Sequence, residues 1–191
     1  LVTCCYGDNI QGLHRSTHTI EQAFKSPEFQ QIRLNLINGV KDANCKKCWD
    51  LEEQGVESLR QQELRTEEFD QDVFNNPRLE YLFLSLSNQC NLKCRTCSPS
   101  DSSFWIKEFE QRNGVKKTVY LEPDDSLFFS SFKQDTLSHL KEIAFTGGEP
   151  LMMKSVQRIL EILDSNVSLT FYTNGTFYNP IILEKFKDVN I

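Results

Sequence analysis

Cys90, Cys94 and Cys97 stand in the run Cys90-Asn-Leu-Lys-Cys94-Arg-Thr-Cys97, a C-x3-C-x2-C spacing. Three thiolates on one short loop can hold three irons of a 4Fe-4S cube and leave the fourth iron without a protein ligand. Such cubes normally take four cysteines, so an open corner is a place for a small molecule to bind and react. Zinc competes poorly. It wants four ligands in a closed structural site, and C-x2-C spacings usually come in pairs. Here the third cysteine breaks that pairing, and no histidine stands nearby. A disulfide set is weaker still, because an odd number of cysteines cannot pair off.

A second anchor is Ala144-Phe-Thr-Gly147-Gly148-Glu149-Pro150-Leu. The apolar run Ile143 to Phe145 reads as a buried strand. It ends in two glycines, a carboxylate and a proline. Glycines at a strand end let a ligand approach the backbone, since no Cβ blocks it. Glu149 offers a carboxylate to a ligand ammonium, and charge-assisted bonds of that type are strong. By itself Gly-Gly-Glu-Pro reads as an ordinary turn; downstream of the cysteine loop it gains weight.

Together these motifs resemble the radical S-adenosylmethionine (SAM) superfamily. The cysteine loop after a first strand is similar to that family's cluster loop. Gly147, Gly148, Glu149 and Pro150 are similar to its second-strand motif, which contacts the methionine part of SAM. The resemblance implies that the amino and carboxylate groups of SAM chelate the open iron. It implies reductive cleavage of the sulfonium, and a 5′-deoxyadenosyl radical that takes a hydrogen atom from a substrate. The cofactor carries the hard chemistry; the protein supplies position and exclusion of side reactions. An electron donor such as flavodoxin or ferredoxin is the implied partner. Thr96 departs from the pattern, because the family usually has an aromatic residue there, near the adenine. That touches one SAM contact and not the cluster.

The strand pattern supports this placement. Leu79 to Leu86 is rich in apolar and aromatic residues and runs into the cysteine loop. Ser168 to Tyr172 is another short strand, followed by Thr173-Asn174-Gly175. That tripeptide resembles the turn after the family's third strand, which makes Asn174 a candidate cofactor contact. Between the strands, Val156, Ile159, Leu160 and Leu163 fall on one helix face. Asn179-Pro180 starts a further helix. Strand–helix–strand order argues for parallel strands with crossover helices, and in barrels of that design ligands sit at the carboxyl ends of the strands. The expected fold class is α/β: a partial (βα) barrel of radical SAM type, truncated, with a fourth strand beginning at Val189. The chain starts at Leu1 without an initiator methionine, and an internal fragment cut at both ends is the expectation.

Residues 1–60 are expected to form a separate, small, cysteine-rich and mostly helical module. Residues 61–78 are a polar linker and residues 79–191 the barrel part. The module holds Cys4, Cys5, Cys45 and Cys48. Cys45-Lys-Lys-Cys48 has metal-ligand spacing and opens the pattern C-x2-C-W-x2-E-x2-G-x2-S-x-R. A helix is expected over Ser26 to Ile37, with Phe29, Ile32, Leu36 and Ile37 as its buried stripe. This part resembles the twitch or SPASM-type auxiliary-cluster module of radical SAM proteins. That resemblance implies a second iron–sulfur site on Cys5, Cys45 and Cys48, with the fourth ligand Cys4, a residue upstream, or absent. A structural zinc site is the competing reading. Related enzymes often act on peptides, which makes a peptide the expected substrate class.

All seven cysteines are thereby assigned to metal sites or their flanks, and oxygen-sensitive clusters suit a reducing, cytoplasmic compartment. Nothing resembles a signal peptide or a spanning segment. A net charge of −6 argues against a nucleic-acid partner. His14, His18 and His139 show no metal spacing with the cysteines. Phe104 and Trp105 read as core residues of a first crossover helix. A non-catalytic zinc or iron–sulfur adaptor is the alternative from a different class.

Overall fold

The computed structural model describes residues 10–66, 75–119, 122–123, 126–132, 137–178, 180–186 and 188–191. The chain divides into two compact units, Leu1–Arg78 and Leu79–Ile191. Among the described residues no helix is long and apolar enough to cross a membrane.

The described part of the first unit is helical. Helix α1 (Ile20–Phe24) opens on a reciprocal cap. The Thr19 hydroxyl accepts from the Gln22 N–H at 3.1 Å, and the Gln22 side chain accepts from the Thr19 N–H at 2.9 Å. Two donors that a helix start leaves open are thereby satisfied. Helix α2 (Pro27–Ile37) follows Ser26, whose hydroxyl accepts from the Phe29 N–H, and it places a proline in the first turn, where no amide donor is needed. The expected apolar stripe on α2 is narrower than the sequence implies. Ile32 is buried, whereas Leu36 and Ile37 in the last turn are exposed. Helices α3 (Lys46–Glu53) and α4 (Leu59–Thr66) complete the described part of this unit.

In the second unit the order is β1 (Tyr81–Ser85), α5 (Ile106–Asn113), α6 (Ser126–Ser130), β2 (Glu142–Thr146), α7 (Lys154–Ile162), β3 (Ser168–Phe171), α8 (Pro180–Lys185) and β4 (Val189–Asn190). The strands form one four-stranded sheet in the order β1-β2-β3-β4, and each neighbouring pair is parallel. Parallel neighbours cannot be joined by a tight hairpin, so helical segments separate them in sequence. The register sets Leu82, Ile143, Leu169 and Val189 in one row, and Leu84, Phe145 and Phe171 in the next. Side chains alternate along a strand, so these rows share a face. That face is the core. Ile143, Phe145 and Leu169 have no exposed surface, and Phe145 stacks on Phe171 with ring centroids 5.2 Å apart. Helix α7 buries Val156, Ile159 and Leu160, as its apolar spacing predicts.

The opposite sheet face is different. It carries Phe83, Ala144, Thr170 and Asn190 in one row. Phe83 keeps more than a third of its surface, and the Thr170 hydroxyl donates to Glu142 at 2.8 Å. Parallel sheets usually bury apolar residues on both faces; here the second face holds polar groups.

One element was not foreseen and one sequence expectation is corrected. Helix α6 was not foreseen, yet it buries Phe128 and Phe129, and with Phe132 they form edge-to-face ring contacts at 5.3 Å. Phe104 is not core: it is 56% exposed. It lies in a single 3-10 turn, Ser103–Trp105, in which Trp105 turns back to the cysteine loop and leaves its neighbour facing outward.

Phe145→Ala is expected to lower the unfolding free energy by about 3–5 kcal/mol, since it empties the centre of the buried face. Phe83→Ala, on the polar face, is expected to lower it by roughly 1 kcal/mol or less. Urea denaturation of the two variants checks the difference.

Candidate functional site

The loop after β1 carries Cys90, Cys94 and Cys97, and buried polar residues hold it. Asn88 is 1% exposed. Its side-chain amide donates to the Pro99 carbonyl at 2.9 Å and the Thr118 carbonyl at 3.2 Å, while its own carbonyl accepts from the Ser103 N–H at 2.7 Å. The loop is thereby closed at its base. Ser102, also buried, donates to the Leu92 carbonyl at 2.7 Å. The Trp105 indole donates to the Cys94 carbonyl at 2.9 Å, and the Cys97 N–H closes a turn onto that same carbonyl at 3.1 Å. Lys93 lies over the Trp105 ring at 4.3 Å and pairs with Glu108.

The Gly147–Pro150 segment at the end of β2 meets this loop backbone to backbone. The Gly148 N–H donates to the Ser87 carbonyl and the Glu149 N–H to the Gln89 carbonyl, each at 2.8 Å. A Cβ on Gly147 would stand 2.3 Å from the Ser87 oxygen, and one on Gly148 1.9 Å from the Gln89 oxygen. Gly147 also has φ +118, which side chains rarely tolerate. The close approach expected of a ligand is therefore made by the protein's own cysteine loop.

Glu149 is likewise held by the protein's own groups. It has no exposed surface. Its Oε1 accepts from the Leu151 N–H at 3.0 Å and the Thr173 hydroxyl at 2.7 Å, and its Oε2 accepts from the Asn174 N–H at 2.9 Å. The carboxylate sits among donors of the protein, where it ties the end of β2 to the turn after β3. Asn174 then reaches the cysteine loop. Its side-chain N–H donates to the Cys90 sulfur at 3.6 Å and to the Asn91 oxygen at 3.0 Å. The structure thus brings together Cys90, Gly147, Gly148, Glu149 and Asn174. Pro150 is buried in the 3-10 turn that follows Glu149. Thr96 is exposed, and its side chain hydrogen-bonds Cys97.

Burial pushes the Cys97 thiol above its ordinary value. The Thr96 hydrogen bond pulls it down, and Cys94, Asp101 and Cys90 push it up again through their charges. The three cysteines therefore share one electrostatic neighbourhood, where thiolates repel one another and a cation would relieve them. All three are free thiols of intermediate exposure. Among the described residues no group of three or more His, Cys, Asp or Glu side chains is drawn into a metal-holding arrangement. The donor set fits an iron–sulfur cluster in kind: soft sulfur ligands, uncommitted to disulfides, on a loop fixed at its base and backed by N–H groups.

In the first unit, Cys45 precedes α3 and Cys48 is buried in its first turn. Trp49, Glu52, Ser58 and Arg60 of the W-x2-E-x2-G-x2-S-x-R pattern form a clasp in the same unit. Arg60 donates to Glu52 through Nε at 3.1 Å and Nη2 at 2.6 Å, and its guanidinium lies 4.4 Å over the Trp49 ring. The Ser58 hydroxyl donates to Glu52 at 2.6 Å. The Arg60 hydrogen bond holds the Glu52 carboxyl below its usual range, against burial, with help from Ser58. Trp49 donates to the Asp42 carbonyl at 3.0 Å, the same carbonyl that accepts from the Cys45 N–H at 3.0 Å. Cys5 and Cys4 lie outside the described residues.

Sequence reading missed Asn88, Ser102, Trp105 and Thr173. A signal existed for Asn88. Ser87-Asn88 interrupts the apolar run of β1 just before the cysteines, and both residues are buried.

Residues 84–191, more than half of the chain, match the family model described as Radical SAM superfamily. The chain belongs to that superfamily, which implies a 4Fe-4S cluster and SAM. It is 28% identical over 114 residues to GTP 3',8-cyclase of Clostridium botulinum strain Okra, covering 58% of this chain and 32% of that protein. It is 31% identical over 112 residues to GTP 3',8-cyclase of Desulforamulus reducens, covering 54% of this chain and 29% of that protein. With GTP 3',8-cyclase of Campylobacter fetus it shares 29% over 102 residues, 52% of this chain and 28% of that protein. The chain thus spans less than a third of the length of these curated relatives. No solved structure matches it.

Gly148→Ala is expected to destabilise the second unit by about 1–3 kcal/mol or more, because a methyl group cannot share space with the Gln89 carbonyl. A lowered thermal midpoint with retained secondary structure checks this.

Proposed function

We propose that the chain is the SAM-cleaving part of a radical SAM enzyme, with Cys90, Cys94 and Cys97 as the protein ligands of a 4Fe-4S cluster. When bound, such a cluster supplies the electron that cleaves SAM and starts hydrogen abstraction. The observation that carries the reading is the single network joining the cysteine loop, Gly147–Glu149 and Thr173–Asn174 at the carboxyl ends of three neighbouring parallel strands. Ligands of open α/β sheets bind outside the carboxyl ends of the strands, and all three segments lie there.

The chain's own residues have distinct tasks in this reading. The cysteines bind. Asn88, Ser102 and Trp105 fix the backbone that presents them. Gly147 and Gly148 let the two loops touch. Glu149 orients the turn after β3. Thr96 stands where an adenine contact is expected, beside Cys97. A reduced flavodoxin or ferredoxin is the proposed electron donor.

Cys45 and Cys48, with Cys5, are proposed ligands of a second, auxiliary iron–sulfur site of twitch or SPASM type. Its support is the clasp of Trp49, Glu52, Ser58 and Arg60, which gives a purpose to every polar residue of the C-x2-C-W motif. A peptide substrate rests on residues 1–60 alone. The relatives lend it no support, and GTP is the competing substrate that their name suggests.

Two variants of the full-length protein, reconstituted without oxygen, test the two sites. Cys94→Ala should abolish formation of 5′-deoxyadenosine from SAM under reductant; full retention would refute the ligand assignment. Cys45→Ala should leave SAM cleavage in place and remove roughly four iron atoms per chain, the content of one cube. Unchanged iron would remove the auxiliary cluster. Uptake of zinc alone, with SAM intact, would make the protein a metal-binding adaptor.

A further inference from the structure

We infer that Asn174 is a positioning residue for the iron–sulfur site: its side-chain amide donates to the Cys90 sulfur and raises the reduction potential of a cluster held there. The inference rests on the cysteine assignment proposed above and deepens it.

The orientation of the amide is set by its neighbours. Asn174 Oδ1 accepts from the Thr176 N–H at 3.0 Å and from the Thr176 hydroxyl at 2.5 Å. A backbone N–H can only donate, so the atom facing it must be the oxygen. The NH2 group is left toward Cys90 at 3.6 Å and the Asn91 oxygen at 3.0 Å. Asn91 is fixed in turn, because its own NH2 donates to the Thr176 hydroxyl at 2.8 Å. The Asn174 backbone is anchored by buried Glu149. The donor is therefore held on both sides. A second donor, the Leu92 N–H, reaches the same sulfur at 3.4 Å.

An N–H dipole aimed at a ligand sulfur stabilises the reduced cluster, which carries one more negative charge, more than the oxidised one. Hydrogen bonds to the sulfurs are among the levers that set iron–sulfur potentials, and partners behind the ligands tune a metal site as the ligands do. Asn174 comes from the turn after β3, far along the chain from Cys90. The potential of the site is thereby coupled to the packing of the third strand.

The test is a reductive titration of the reconstituted full-length protein, monitored by electron paramagnetic resonance. Asn174→Ala should bind the same iron and sulfide as the native protein and show a more negative midpoint. Asn174→Asp, which keeps the oxygen for Thr176 and replaces the donor by an acceptor, should shift further the same way. An unchanged midpoint in a loaded Asn174→Ala overturns the inference. If neither variant holds a cube, the native protein decides. With asparagine side-chain nitrogens labelled with 15N, its reduced cluster should show a 15N hyperfine coupling, and absence of that coupling overturns the inference. A native protein that assembles no cube at all refutes the cysteine assignment instead.

Discussion

The site depends on one buried carboxylate. Glu149 has no exposed surface and accepts from Leu151, Thr173 and Asn174. Burying a polar group without partners costs free energy, and hydrogen bonds to it offset that cost. Its three donors come from two different strand ends. Glu149 can be satisfied only when β2 and β3 stand in their observed register, so the burial penalty becomes a demand for one geometry. From there the order propagates. The Asn174 backbone is fixed by Glu149, its side chain by Thr176, and its amide N–H groups are left for Cys90 and Asn91.

Much of this was legible in the sequence, because the second unit follows local rules closely. The apolar runs before Cys90, Gly147 and Thr173 are strands, and the spacing of Val156, Ile159 and Leu160 is a buried helix face. The roles within the site were less legible. Gly147 and Gly148 read as room for a ligand, because a sequence cannot show that Ser87 and Gln89 fill that space. Glu149 read as a carboxylate for a ligand ammonium, and its protein partners Thr173 and Asn174 went unseen for the same reason: they are brought near only by the pairing of β2 with β3. Helix α6 was missed because a five-residue helix offers too few turns for a periodic signal, and Phe128 and Phe129 are buried by tertiary packing. Phe104 failed through a register error, since adjacent residues on a turn point in different directions.

The first unit shows the converse case, where a motif was visible and its logic was not. Cys45-x2-Cys48-Trp49 suggested a metal ligand pair. The spacing of Glu52, Ser58 and Arg60 had no stated reason until the structure placed the three in contact. Glu52 lies three residues after Trp49, one turn along the same helix, while Arg60 returns from α4 and covers both. A planar guanidinium suits this task, because it can pair with a carboxylate through two nitrogens and lie on an indole face at once. A lysine ammonium, with one nitrogen, lacks that two-pronged planar pairing. The clasp binds the start of α4 to α3, and α3 carries Cys48.

A division of labour explains why the cysteine loop is built from polar residues. Ser87, Asn88, Ser102 and Glu149 are each at most 3% exposed, whereas Cys90, Cys94 and Cys97 keep intermediate exposure. In the proposed function the loop has to be reached from outside, so it cannot be held by apolar burial of the thiols themselves. Hydrogen bonds to its backbone do the holding instead. They fix the Leu92 and Cys94 carbonyls from behind and leave the sulfur side open. These bonds join the loop to the turn ten or eleven residues on and need defined geometry, so the frame is specific where an apolar core would be merely adhesive. The polar character of the frame is thus a consequence of what the loop has to leave uncovered.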